Sequence, residues 1–138
     1  SATVEGNHEG LFVLPTIFSD VDNSMRIAQE EVFGPVLSVI RFKDEDEAVS
    51  IANDIDYGLA AGVWTKSLNR AVNVSERLQA GTVWVNTYRS TSYTSPFGGY
   101  KSSGLGRENG QQAIKEYLQV KSIWLHTGES TKNPYARR

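Results

Sequence analysis

Apolar positions along the chain switch between a strand-like and a helix-like period, and the switches set out the elements. "LFVLPTIF" (Leu11 to Phe18) is an apolar run broken by Pro15. A proline removes a ladder donor, so the pattern predicts a strand at a sheet edge or ending there. "DNSMRIAQEE" follows, with Met25 and Ala28 three apart behind a cap-like Asp22 or Asn23, and predicts a short helix ending near Gly34-Pro35. "VLSVIRF" (Val36 to Phe42) is β-branched and almost continuously apolar, the pattern of a strand covered on both faces.

"DEDEAVSIANDI" carries acids in its first turn, where the helix dipole favours them, and Ala48, Ile51, Ala52 and Ile55 at helical spacing. "YGLAAGVWT" predicts a turn at Gly58 and a short strand ending in Val63 and Trp64. "SLNRAVNVSERLQAG" is an amphipathic helix with Leu68, Ala71, Val72, Val74 and Leu78, stopped by Gly81, and "TVWVN" is a strand. The polar, Gly-rich stretch from Thr87 to Gly110 lacks periodicity, and a loop of that length is usually functional or disordered. "QQAIKEYLQ" predicts a helix with Ala113, Ile114, Tyr117 and Leu118 on one face, "VKSIWLH" a last strand, and residues 127–138 a polar tail. Strands alternating with helices imply an α/β fold: β-α-β crossovers and a largely parallel sheet with helices on both faces.

Composition narrows the function classes. The 138 residues are 39% hydrophobic and 22% charged, an ordinary folding composition, and are enough for one domain with a real core. A net charge of −2 with scattered Lys and Arg offers no field for a phosphate backbone, so nucleic acid is not an expected partner. No apolar run approaches the roughly 18 residues of a membrane span, and "SATVEGNHEG" lacks a signal-peptide pattern. A cytoplasmic location is the expectation. The absence of cysteine removes disulfides, thiolate metal sites and any cysteine nucleophile from this stretch.

His8 and His126 lie far apart, in no metal-binding spacing, and no Ser carries a hydrolase elbow. No metal site is expected. "GLGRENG" invites a phosphate-cradle reading, but Asn109 stands where the third glycine belongs and no strand leads into Gly104, so a turn and helix start is the better reading. Glu30 and Glu31 have a plain explanation as solvated acids near a helix end. The sharper one is geometric: a carboxylate can accept from both hydroxyls of a vicinal diol such as a ribose, while a neighbouring aromatic covers an adjacent ring. Glu31 and Phe33 share one side of an extended segment.

Four blocks, "QEEVFGPV" (Gln29 to Val36), "YGLAAGVWT" (Tyr57 to Thr65), "LQAGTVWVN" (Leu78 to Asn86) and "SPFGGYKSSGLGRE" (Ser95 to Glu108), resemble in order and spacing the NAD(P)-dependent aldehyde dehydrogenase superfamily. The resemblance runs from about Gly10 to His126 and covers only the C-terminal portion of the family's chain. It implies that residues 1–126 are the C-terminal part of a catalytic domain. The family oxidises aldehydes to carboxylic acids through a cysteine thiolate, hydride transfer to nicotinamide and a glutamate-activated water. Both the cysteine and that base precede this segment in family order.

Position by position, the resemblance implies that Glu31 holds the nicotinamide-ribose hydroxyls and that Phe33 packs beside that ribose, while Glu30 takes no assigned role. Phe97 would stand near the catalytic pocket, and "YRSTSYT" would shape the aldehyde tunnel. Thr91, where several family members carry an aromatic, would widen or polarise it. Arg89 is more simply a surface or structural arginine, with an anionic substrate tail as its sharper alternative. The implied cofactor is NAD or NADP, and the implied partners are an aldehyde, the preceding part of the enzyme, and further copies in a homodimer or tetramer joined near "VKSIWLH". The alternative is a non-catalytic truncated paralogue acting as a binding or oligomerisation module.

Overall fold

A computed structural model of the protein describes residues 12–128 and Tyr135. Leu11, His8 and most of the tail lie outside the described residues. The elements run β1 (Thr16–Phe18), α1 (Arg26–Gln29), β2 (Val36–Ser38), α2 (Glu45–Asn53), β3 (Tyr57–Gly58), β4 (Ala60–Val63), α3 (Leu68–Arg77), β5 (Thr82–Val85) and β6 (Tyr100–Lys101). A 3-10 turn, Ala113–Tyr117, follows.

Two β-α-β units give the fold its character. β1 and β2 pair in parallel across α1, with Ile17 opposite Leu37, and β4 and β5 pair in parallel across α3, with Gly62 opposite Trp84. A third pair, β3 with β6, is antiparallel. The one largely parallel sheet expected from the pattern is thus present as three two-stranded pieces. Each crossover unit pairs only within itself, and no ladder joins β2 to β4 among the described residues.

α2 and α3 start where the sequence says they should. α1 instead starts at Arg26 behind Met25 with no side-chain cap, because the Asp22 carboxylate is taken by Ser24, and it ends at Gln29, short of the predicted Gly34-Pro35. Asp44 Oδ1 accepts from the Glu47 backbone N–H at 2.9 Å, satisfying an orphan donor of the first turn of α2, and Glu47 Oε2 accepts from the Lys43 N–H just before the cap at 2.7 Å. Ser67 caps α3 by accepting from the Arg70 N–H at 3.3 Å. The helices are tied side by side by charge: Arg70 meets Glu45 at 3.0 Å, and Arg77 meets Glu45 at 3.6 Å and Asp46 at 2.7 Å. Asn73 also donates to Glu45.

Gly81 is not a helix cap. α3 ends at Leu78, whose φ of −73° and ψ of 129° are extended, so no left-handed residue is needed to stop it. The glycine is required for close approach instead: its N–H donates to the Gly58 carbonyl at 3.0 Å, and a Cβ there would run into the Gly98 carbonyl oxygen.

The core is thinner than the composition suggests. Among the described residues the buried apolar side chains are Val21, Val49 and Ala71, while Ile17, Leu37 and Phe42 of the β1–β2 unit and its exit stay exposed. β2 stops at Ser38, short of the predicted Phe42, where its partner β1 ends at Phe18, and among the described residues no further strand pairs with it. The predicted last helix tightens to the 3-10 turn, and "VKSIWLH" forms no strand. Val120, Ile123, Trp124 and Leu125 there are largely exposed, with no neighbouring strand among the described residues to receive their backbone hydrogen bonds.

Candidate functional site

The stretch that carries Glu30 and Glu31 is held by the residue before it. Gln29 at the end of α1 donates from Nε2 to the Asn23 carbonyl at 2.7 Å and to the Asp54 carbonyl at 2.9 Å. Asn23 in turn donates to the Asp54 carboxylate at 2.8 Å. The chain therefore leaves α1 in a fixed direction, against the end of α2.

The two adjacent carboxylates differ. Glu30 pairs with Arg26 one turn earlier at 2.7 Å, and that hydrogen bond holds its carboxyl below the usual range while raising the Arg26 guanidinium. The Glu31 carboxylate has no hydrogen bond or ion pair among the described residues. Both acids border a cavity of about 350 Å³ whose other walls include Ile55, Tyr57, Gly58, Leu59, Leu78 and Ser103. Phe33 does not line it: its ring is 97% exposed, in a tight segment where the Gly34 N–H donates to the Val32 carbonyl and the Val36 N–H to the Gly34 carbonyl, each at 2.8 Å.

Thr91 and Phe97 come together. With Ser90, Ser92 and Ser95 they line a cavity of about 170 Å³ that contains hydroxyls and no carboxylate. Phe97 and Glu108 exchange both backbone hydrogen bonds at 2.7 Å, which folds the loop on either side of "GGYKSSGLG" into a hairpin. Within it Gly104 and Gly106 have φ of +116° and +79°, so the glycines of "GLG" serve turns. Arg107 donates to the Gly99 carbonyl at 3.0 Å and stands 5.6 Å over the Tyr100 ring. The strand pair β3–β6 then brings this loop onto β3, where the Ser103 hydroxyl accepts from the Gly58 N–H at 3.0 Å.

Leu59 joins the two halves, and periodicity gave no signal for it. It borders the Glu31 cavity, a cavity of about 580 Å³ beside Phe97 and Arg107, and one of about 330 Å³ beside Phe97 and Arg89. Ser103 borders the first two. Asn86 was also missed. With φ of 53° its carboxamide donates to the Thr65 carbonyl at 2.8 Å and accepts from the Thr65 N–H at 2.9 Å, locking the exits of β4 and β5 together under the loop. An asparagine after a β-rich run and before a loop is the signal that could have found it, since Asn tolerates left-handed backbone.

Among the described residues no group of three His, Cys, Asp or Glu side chains could hold a metal ion, and no helix is long and apolar enough to cross a membrane. The exposed His126 belongs to no such group.

The model of the aldehyde dehydrogenase family matches residues 1–123. An aldehyde dehydrogenase of Emericella nidulans is 54% identical over 123 residues, covering 89% of this chain and 25% of its own. A betaine aldehyde dehydrogenase of Brucella melitensis is 49% identical over 132 residues, covering 96% and 27%. Among solved structures, a variant of the P. syringae indole-3-acetaldehyde dehydrogenase AldA in complex with NAD+ and IAA superposes with a TM-score of 0.79 at 54% identity, over 83% of this chain and 23% of that one. The betaine aldehyde dehydrogenase of Staphylococcus aureus with NAD+ superposes at 0.84 and 45% identity, over 93% and 25%. The chain spans about a quarter of the length of the curated relatives it matches. A family match over most of the chain, at this identity and with this superposition, places the chain in the aldehyde dehydrogenase family.

Proposed function

We propose that the chain is the C-terminal part of the catalytic domain of an NAD(P)-dependent aldehyde dehydrogenase, supplying a nicotinamide-ribose clamp and one wall of the aldehyde pocket. The observation that carries this is the asymmetry of the two acids: Arg26 occupies Glu30, and the neighbouring Glu31 carboxylate has no partner among the described residues at the edge of a cavity of about 350 Å³. A free carboxylate at a cavity edge fits a vicinal diol, whose hydroxyls both donate to it. The exposed Phe33 ring two residues on is available to cover the face of an adjoining ring. NAD or NADP, when bound, supplies the hydride acceptor, and the solved relatives described above hold NAD+.

In this reading Glu31 would hold the ribose hydroxyls and so would orient the nicotinamide, the group that would accept the hydride. Phe97 and the hydroxyls around Thr91 orient the aldehyde and exclude bulk water. The nucleophilic cysteine and the general base come from outside this chain, whose 138 residues contain no cysteine. The exposed run Val120, Ile123, Trp124 and Leu125 supports assembly as a homodimer or tetramer, in which a second copy covers it. The same run and the missing cysteine favour the alternative, a non-catalytic association module.

The test is turnover by the intact protein that contains this chain. With an aldehyde and NAD or NADP it forms reduced cofactor and carboxylic acid in equal amounts. A protein that binds dehydrogenase subunits but turns over no aldehyde with either cofactor is the association module instead.

A further inference from the structure

The cavity of about 330 Å³ beside Phe97 is large enough for a small metabolite, and its walls are Leu59, the short β4 segment, Trp64, Trp84, Tyr88 and Arg89. Among the described residues Arg89 is the one charged side chain lining it, and the adjoining cavity around Thr91, which shares the Phe97 wall, is lined there by hydroxyls without any carboxylate. The Arg89 guanidinium makes no hydrogen bond or ion pair among the described residues. Its position is nonetheless firmly held. Trp84 Nε1 donates to the carbonyl of Ser90 at 2.7 Å, and the Trp84 and Tyr88 rings meet edge to face at 5.5 Å, so both neighbours of Arg89 are pinned to β5.

Arg89 also has φ of +56°, a backbone conformation that Gly or Asn adopts with less strain than arginine. A strained residue with an unused cation, held at the rim of a cavity, is an observation that points to a ligand. We propose that Arg89 reads a carboxylate at the far end of the aldehyde, so that the substrate is an ω-oxo acid; this rests on the aldehyde dehydrogenase reading above. The planar guanidinium offers two parallel N–H donors to one carboxylate, and the aromatic walls hold the short methylene chain between carboxylate and carbonyl. The aromatic faces alone would also suit a quaternary ammonium, the cation of the aldehyde named for the Brucella and Staphylococcus relatives. The Arg89 charge on the same wall repels that ligand, so specificity here separates from theirs.

The experiment compares succinic semialdehyde, butyraldehyde and betaine aldehyde on the intact enzyme, as wild type, Arg89→Asn and Arg89→Lys. Asparagine keeps the left-handed backbone and removes the charge, whereas lysine keeps the charge and loses the fork. Wild type is expected to favour succinic semialdehyde. Arg89→Asn should lower kcat/KM for it by about 10- to 100-fold, the effect of one charge-assisted contact, and leave butyraldehyde close to wild type. Arg89→Lys should recover part of the loss, and added salt should weaken only the anionic substrate. Titration with succinate, the product dicarboxylate, reads the same contact without turnover and should show the same dependence on Arg89. Equal loss on all three aldehydes, no loss on any, or a wild-type preference for betaine aldehyde overturns the proposal. A protein that oxidises no aldehyde yet binds succinate through Arg89 removes the dehydrogenase reading and leaves the carboxylate site standing.

Discussion

Replacing Glu31 with Gln separates a cofactor carboxylate from a solvated one. The ribose diol would donate two hydrogen bonds to Glu31, whereas the amide keeps one acceptor oxygen and turns a second donor on the other hydroxyl. Loss of one hydrogen bond to a charged group is worth about 1.5–3 kcal/mol, or roughly 10- to 100-fold in rate if the contact matters when hydride moves. The adjacent acid is the internal control: Glu30 is engaged by Arg26 at 2.7 Å on the exposed face of α1, so Glu30→Gln should leave the rate near wild type. The assay is stopped-flow formation of reduced cofactor on the intact enzyme, with NAD and with NADP, at saturating aldehyde. A slower hydride-transfer phase in Glu31→Gln alone is the expected result. Unchanged kinetics with both cofactors, or equal losses in the two variants, refutes the assignment.

Other consequences are structural. Asp44→Ala removes the side-chain acceptor at the start of α2 and should cost about 1 kcal/mol in denaturant unfolding, with an unchanged m-value. Gly81→Ala drives a methyl into the Gly98 carbonyl, which is backbone and cannot swing away, and should destabilise by about 1–3 kcal/mol; a melting temperature equal to wild type would show that the glycine is dispensable. Hydrogen bonds from Ser24 lower the Asp22 carboxyl and one from Arg26 lowers that of Glu30. A depressed folded-state value means stability that is fully present above the ordinary values of 3.8 and 4.5 and is lost as pH falls through the lowered ones. Acid titration of Asp22→Asn and Glu30→Gln should therefore show a shallower loss than wild type below those values, and identical curves would remove the linkage.

The local signals that were legible are those whose physics is local. The acids in the first turn of "DEDEAVSIANDI" and the apolar spacing of "SLNRAVNVSERLQAG" announce α2 and α3 because both signals act within a turn or two of chain, and the structure adds caps there from Asp44 and Ser67. Gly81 misled because a glycine past a helix means either left-handed backbone or close approach. Only the position of Gly98, seventeen residues on, decides which. "VKSIWLH" has the composition of a strand, yet a strand is a pair, and among the described residues no partner segment lies beside it. Residue type and spacing singled out Glu31 and Phe33, of which Glu31 borders the cavity of about 350 Å³ and Phe33 does not, whereas Leu59 and Asn86 owe their place to β4 and β5 meeting in parallel.

Both halves of the candidate site hang from one helix end. Carbonyls past the last turn of a helix have no partner within it and must find donors elsewhere. At the end of α2, Lys101 Nζ donates to the Asn53 carbonyl at 2.6 Å and the Ile55 carbonyl at 2.9 Å, and Gln29 takes the Asp54 carbonyl between them. The Ser102 N–H adds the Asp56 carbonyl at 2.9 Å. The helix dipole also favours a cation there, and Lys101 supplies it from a backbone held at φ of 51° on β6. Gln29 immediately precedes the Glu30–Glu31 pair, and Lys101 lies between Phe97 and Ser103, so four consecutive carbonyls fix the proposed ribose clamp relative to the proposed aldehyde wall. Among the described residues these directed bonds tie the two halves to one helix end and so to each other.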